Sequence, residues 1–282
     1  MNSPAIALVG HTGRMGRMLM ETWTAAGYEV TGVDARPGRA IPADDVTRAD
    51  IVMLAVPAGA ICDVMGRLAP CLRHEQLVMD ITSVKSLPML IMQEFHAGPV
   101  IGSHPLFGPQ TDDQDLHTVL VAGRHASDGH KRQAERLFHV LGSGTAWATS
   151  REHDRGVAFA QSLNFAMSAS FFSTIARHRE CMPFLTPSFK RHMEAARKHL
   201  TDDRAMFCEF TARNPCFEEA VEDYRSILKE ALHDLDRLSA EAAAWFDGSM
   251  GVIDDDARPT HPVRTPAVAP ENETHYRQTA EG

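Results

Sequence analysis

Between residue 5 and about residue 150, short apolar runs alternate with segments in which apolar residues recur at three- and four-residue spacing. That rhythm predicts strands joined by crossover helices. The runs fall at 5–9, 29–34, 51–56, 77–81, 100–103, 118–122 and 145–148, and their Val, Ile, Leu and Ala content suits strands of a parallel sheet covered on both faces. From residue 152 the strand signal ends, and helices are expected over 154–179, 188–200, 203–213 and 217–246. In the last of these, Phe217, Val221, Tyr224, Leu228, Leu232, Leu235, Leu238, Ala242 and Trp245 form one apolar stripe. The pattern divides the chain into a sheet domain over 1–150, a helical domain over 151–248 and a polar tail over 249–282, which its Pro, Thr and Glu content predicts to be disordered. Helices without a sheet and with so much apolar surface are expected to pack against a second copy, making a homodimer.

Composition narrows the partners. A net charge of −9 and a pI near 5.9 argue against an electrostatic grip on nucleic acid or an anionic membrane. A small anionic substrate would then need a local basic pocket. No apolar run approaches the ~20 residues of a membrane span, and the first residues lack a secretory pattern, so a cytoplasmic protein is expected. The five cysteines, Cys62, Cys71, Cys181, Cys208 and Cys216, form no CxxC pair and are expected to be reduced and mostly buried, with neither a disulfide framework nor a zinc site.

The first chemical signal is Gly10-His11-Thr12-Gly13-Arg14-Met15-Gly16, between the first strand and the following helix. Such a turn lets backbone N–H groups and a helix N-terminus approach a pyrophosphate. The spacing is GxxGxxG, which alone is weak, but Asp34 ends the second strand 18 residues after Gly16, where a carboxylate can hold a ribose diol. Together they predict a Rossmann-like domain binding NAD. Arg36 and Arg39 just beyond could instead attract the 2′-phosphate of NADP.

Residues at the carboxyl ends of parallel strands face the ligand crevice. Ala55, Val56 and Pro57 end the third strand, and Ser83 and Lys85 follow the fourth. Ser83 can touch cofactor or a substrate hydroxyl, and Lys85 can attract a carboxylate or orient its neighbours. The plainer alternative makes Ser83 a helix N-cap and Lys85 a solvated first-turn residue. His104 ends the next strand, in Gly102-Ser103-His104-Pro105-Leu106-Phe107-Gly108-Pro109, where it can take a proton from an alcohol as hydride leaves the same carbon.

Asp80-Ile81-Thr82-Ser83-Val84-Lys85, the block from Gly102 to Pro109, and Glu152-His153-Asp154, in this order after the glycine-rich turn, resemble the prephenate dehydrogenase family. The likeness runs over about 5–246 and is greatest to the dehydrogenase part of the bifunctional chorismate mutase–prephenate dehydrogenases. The resemblance implies oxidative decarboxylation of prephenate to 4-hydroxyphenylpyruvate in tyrosine biosynthesis, with hydride passing to NAD and no metal required. It makes His104 the acceptor of the C4 hydroxyl proton and Ser83 the residue that orients this hydroxyl. It also matches Arg197 to a substrate-binding arginine, with Lys198 or Lys190 as alternatives, and Gln161 to a substrate-pocket residue.

One departure opens the substrate. The family's usual histidine four residues after Gln161 is Phe165 here, which leaves arogenate and 4-amino-4-deoxyprephenate beside prephenate. Gln161 and Asn164 could supply replacement hydrogen bonds. His153 and Asp154 are expected to fix the domain junction by capping rather than to do chemistry. A cofactor-binding sensor without turnover is the alternative of another class. A hydroxyacid or imine reductase would normally place a lysine in the helix over 154–179, which has none.

Overall fold

The computed structural model describes residues 3–109 and 116–253, the side chains of 249–253 excepted. Seven strands form one sheet: β1 (Ile6–Val9), β2 (Val30–Val33), β3 (Ile51–Leu54), β4 (Leu77–Asp80), β5 (Val100–Pro105), β6 (Leu116–Ala122) and β7 (Ser143–Trp147), in the order β2-β1-β3-β4-β5-β6-β7. All seven lie where the apolar runs predict them. The exception to parallel pairing is β6, which runs antiparallel to β5. The intervening residues 106–115 are too few for a helical crossover, which needs a dozen or more.

Alternation along the strands splits the core in two. Ala7, Val9, Val52, Leu54, Val78, Val100 and Val121 point to one face, where α2 (Ala43–Arg48), α3 (Ile61–Leu68) and α4 (Ser86–Phe95) bring Val46, Val64, Met65, Leu68, Met89 and Met92. Ile6, Leu8, Ile51, Met53, Leu77, Met79, Ile101 and Leu120 point to the other, covered by α1 (Arg14–Ala25) and α5 (Asp128–His139) through Leu19, Trp23, Leu137 and Phe138. The Trp23 indole also donates to the Leu137 carbonyl at 2.8 Å, satisfying its one polar atom inside the apolar layer.

After the sheet the described chain is helical. α6 (Ser150–Val157) opens with a capping box in which Thr149 and Glu152 satisfy each other's backbone N–H groups. It passes through a π turn (Ala158–Ser162) into α7 (Leu163–Arg177), so the single helix expected over 154–179 is interrupted. α8 (Pro187–Leu200), α9 (Arg204–Arg213) and α10 (Phe217–Glu230) follow. The helix expected over 217–246 is also two. Glu230 O accepts from both His233 N and Asp234 N, and the Asp234 carboxylate then caps Arg237 N at 3.1 Å, starting α11 (Leu235–Ile253). The stripe is therefore shared between two helices.

Contacts divide the chain into two compact units, 1–229 and 230–282. The first holds the sheet and the helices up to α10; the second holds α11, which extends to Ile253, into the segment expected as tail. Residues 254–282 of that tail lie outside the described residues. Among the described residues no helix is long and apolar enough to cross a membrane. The cysteines correct the expectation of burial: Cys62 and Cys208 are exposed, and the other three are half-buried. Cys62 faces out because Ile61, Val64, Met65 and Leu68 take the buried side of α3.

Candidate active site

Strand register sets the site. Val9 pairs with Leu54 and Leu54 with Asp80, so β1, β3 and β4 end level with one another, while β5 runs on three residues past Gly102, the partner of Asp80, and carries His104 beyond that line. The glycine-rich turn, Ala55–Pro57, Ser83 and His104 consequently emerge along one edge of the sheet. Sheet order reverses direction between β1 and β3, the place where open α/β sheets bind ligands.

At that point Gly10 has φ +87, and a Cβ on it would come within 2.5 Å of the Ala55 carbonyl oxygen. A side chain on Gly16 would meet Gly10 O at 2.3 Å, which brings the first turn of α1 against the strand end. No side chain caps α1 at Gly13, so its leading N–H groups are left without a side-chain acceptor. These features fit a nucleotide pyrophosphate. Thr12 and Arg14 are exposed, Met15 is half-buried, and the His11 ring packs over Gly32 of β2 with its Nδ1 unpartnered among the described residues. Arg14 Nη2 reaches Asp203 Oδ1 at 2.9 Å, tying the glycine-rich turn to the start of α9.

Asp34 follows β2 as expected. Its carboxylate is gripped by Arg36, whose Nη2 lies at 2.6 Å and Nε at 2.9 Å, while Arg39 Nε stands at 3.8 Å. Hydrogen bonds from Arg36 hold this carboxyl well below the usual carboxylate range. It remains an anion for a ribose diol to meet.

The β4 turn corrects one expectation. Lys85 is fully buried, and its ammonium donates to Asp80 Oδ2 at 2.5 Å and to the Ser103 carbonyl at 2.7 Å. It is not a solvated helix residue; the carboxylate it meets is Asp80, and through the Ser103 carbonyl it holds the strand end that carries His104, in line with the expectation that it orients its neighbours. Burial pushes its pKa down, while Asp80 opposes that shift. Thr82 also bonds Asp80 through both its N–H and its hydroxyl, fixing the turn. Ser83 is half-buried on this turn and has no hydrogen-bond partner among the described residues. It is not the N-cap of α4, a position that falls at Lys85.

His104 is 5% exposed, and its Nδ1 lies 2.9 Å from His153 Nε2. His153 Nδ1 lies 2.8 Å from Asp154 Oδ1. Asp154 Oδ1 also accepts from Lys85 N at 2.7 Å, and Oδ2 from Ser86 N at 2.8 Å. Capping was the expected role of Asp154, but the helix it caps is α4, across the junction from its own. His153 was expected to cap as well; it lies instead between His104 and the carboxylate. The signal was the adjacent His-Asp pair, and what hid it was 49 residues of separation from His104. A carboxylate only accepts, so His153 Nδ1 carries the hydrogen. Its Nε2 is then the acceptor for His104 Nδ1–H, and His104 Nε2 keeps the lone pair. Burial foremost, then the charges of His153 and Lys85, push the His104 pKa well below 6.5. His153 is also pushed down by burial, against the opposing hydrogen bond to Asp154.

In the helical region, Gln161 is half-buried on the π turn, an irregularity that often marks functional segments. Phe165 is 7% exposed and stacks on Phe207 of α9 with ring centroids 5.3 Å apart. Arg197 is exposed on α8 and stands 4.0 Å from Glu194; Lys198 and Lys190 are exposed too. Ala196 and His199 take the inner side of α8, so Arg197 and Lys198, which lie between them in sequence, both turn away from it.

The sheet order, the glycine-rich turn at its switch point and the buried histidine at the edge define an α/β protein of the nucleotide-binding kind. The sequence model described as prephenate dehydrogenase, nucleotide-binding domain, matches residues 24–135. The T-protein of Haemophilus influenzae is 29% identical over 171 residues, 61% of this chain and 43% of that relative, so the chain spans less than half of its length. The crystal structure of Synechocystis arogenate dehydrogenase superposes with a TM-score of 0.71 at 18% identity, covering 88% of this chain and 99% of that one. Prephenate dehydrogenase from Aquifex aeolicus, in complex with hydroxyphenyl propionate and NAD+, gives 0.65 at 16% identity, covering 90% and 98%. At such identities the structural likeness carries the fold. The sequence model covers less than half of the chain, so these findings make its nucleotide-binding part similar to that of the prephenate dehydrogenases.

Proposed function

We propose that the chain is a cytoplasmic dehydrogenase that oxidises prephenate, with NAD as hydride acceptor, to 4-hydroxyphenylpyruvate and carbon dioxide, a step of tyrosine formation. The observation that carries this reading is the buried series His104, His153, Asp154 at the strand edge beside the nucleotide turn. When bound, the nicotinamide supplies the acceptor for hydride leaving C4.

The rest is done by the chain's own residues. The Gly10–Gly16 turn and the open N-terminus of α1 hold the pyrophosphate, and Asp34 takes the ribose diol, with Ala55, Val56 and Pro57 lining the crevice. His104 Nε2 accepts the C4 hydroxyl proton as the carbinol becomes a carbonyl. The Ser83 hydroxyl orients the same group. Loss of the ring carboxylate as carbon dioxide then leaves its electron pair in the ring, the oxygen at C4 takes back the proton held by His104, and that aromatisation drives the reaction. Arg197 and Gln161 are the helical-region candidates for the remaining polar groups of the substrate.

A carboxylate at Asp34 disfavours a 2′-phosphate and supports NAD, whereas Arg36 and Arg39 keep NADP as the alternative. Phe165, together with the likeness to an arogenate dehydrogenase structure, keeps arogenate and 4-amino-4-deoxyprephenate as alternative substrates. A sensor without turnover would have no use for a histidine whose basic nitrogen is set by two further residues. Apolar side chains left exposed, Ile227 and Leu228 on α10 and Leu235, Trp245 and Phe246 on α11, support a homodimer. The test is formation of reduced cofactor with prephenate, arogenate and the amino analogue, each with NAD and NADP. Turnover of prephenate with NAD is expected, and no turnover with any pair would contradict the reading.

A further inference from the structure

His199 is not among the residues that the sequence pattern singles out. It lies on the inner side of α8, with its ring 6.2 Å from Phe165 and 5.6 Å from Phe207, measured between centroids. Its Nε2 is buried and has no hydrogen-bond partner among the described residues. Buried polar atoms are nearly always partnered, so such a nitrogen needs an explanation. Two more buried oxygens without partners, Ser162 Oγ on the π turn and Thr211 Oγ1 on α9, sit on elements of the same packed group: α9 packs on the π turn, and α8 packs on α9.

The surroundings connect this nitrogen to the catalytic edge. Phe207 packs against a buried cluster made of Val84, the neighbour of Ser83, Val157, one helical turn beyond His153, and Phe210. Phe207 is also stacked on Phe165 and tilted against His199. A continuous apolar and aromatic wall therefore runs from the Ser83 turn and the His153 helix to His199. A cyclohexadienyl substrate whose C4 hydroxyl is at His104 has its C1 substituents, a carboxylate and a three-carbon acid side chain, at the opposite end of the ring. A ring lying along that wall would direct its C1 end to α8.

We infer that His199 Nε2 is the hydrogen-bond partner of the C1 side chain and thereby discriminates a 2-oxo from a 2-amino acid substituent. This rests on the dehydrogenase reading above and adds to it a residue that determines the substrate. A single imidazole nitrogen facing the 2-position either donates to the keto oxygen or accepts from the ammonium, so it cannot serve both side chains equally. A site built to hydrogen-bond a polar group rejects an analogue that leaves the partner unpaired.

The experiment compares wild type, His199→Leu and His199→Gln with prephenate and arogenate, which differ only in that side chain. In His199→Leu, KM for the preferred substrate should rise by about tenfold or more, kcat should stay within about threefold, and the ratio of kcat/KM between the two substrates should contract. His199→Gln, which keeps a side-chain donor and acceptor, should regain part of the preference. The His199 ring resonance, assigned by its absence in His199→Gln, should move when 4-hydroxyphenylpyruvate is added to the NAD-saturated protein. Unchanged KM values and ratio in His199→Leu would overturn the assignment, as would a fall in kcat and melting temperature with KM unchanged. If wild type oxidises neither substrate, the dehydrogenase reading fails on its own, and the resonance still decides His199: a signal that does not move overturns it.

Discussion

His104 Nδ1 and His153 Nε2 meet at 2.9 Å with their rings at 67°, and the second ring is anchored to Asp154. That contact determines which nitrogen of His104 is basic. With Asp154 fixing the hydrogen on His153 Nδ1, the free lone pair of His104 falls on Nε2, the atom the proposed chemistry uses.

Replacing His153 by Leu removes the acceptor for His104 Nδ1–H while keeping an apolar side chain in the core. kcat should fall by about 10²-fold, at the low end of general-base contributions, with KM for both substrates little changed. Steady-state kinetics beside a melting curve checks this. An unchanged kcat in a folded variant would make His153 a packing residue only.

Asp154 serves two ends at once, because the same carboxylate caps α4 through Lys85 N and Ser86 N. Asp154→Ala should therefore lose stability, by about 1–2 kcal/mol for the cap alone, as well as activity. Chemical denaturation and turnover measured on one preparation should fall together. A loss of activity at full stability would separate the two roles.

The buried Lys85–Asp80 pair has neither side chain exposed. Lys85→Met leaves a buried carboxylate without its cation and should cost about 3–5 kcal/mol, whereas adding Asp80→Asn should recover much of the loss. Denaturant midpoints of the single and double variants give the comparison. If the double variant were as unstable as the single one, the burden would lie in lost packing rather than in the stranded charge.

Asp34→Ala should raise KM for NAD by about tenfold while leaving that for prephenate near its original value, since the role proposed for the carboxylate is to hold the cofactor's ribose. It should also narrow the preference for NAD over NADP by freeing Arg36 and Arg39 from their anion. Kinetics with both cofactors decides it. Equal constants before and after would remove Asp34 from the cofactor site.

The strands and the nucleotide turn were legible because their signals are local. An apolar run such as Ile51–Leu54 needs only its own residues to declare itself, and Gly10 stands beside the strand it terminates. The direction of β6 was not legible from its own residues, since it follows from the short connection before it. Lys85 read as exposed because lysine usually is; its partner Asp80, five residues back, becomes visible only once the turn folds on itself. The role of His153 was hidden for a similar reason, as β5 and α6 converge only in three dimensions. The break at Asp234 could have been read from a capping residue inside the stripe, which the apolar periodicity masked.

The pH dependence of turnover in wild type and His104→Asn tests the account most directly. The proposed reaction needs His104 unprotonated, and burial together with repulsion from His153 and Lys85 lowers its pKa. The acid limb governed by His104 should therefore lie below ~6.5, where an unperturbed histidine titrates, rather than at it. In His104→Asn, the turnover with prephenate and NAD should fall by about 10²–10⁴-fold, and that limb should vanish. Near-normal turnover with an unchanged acid limb in His104→Asn would contradict the assignment of His104 as the base.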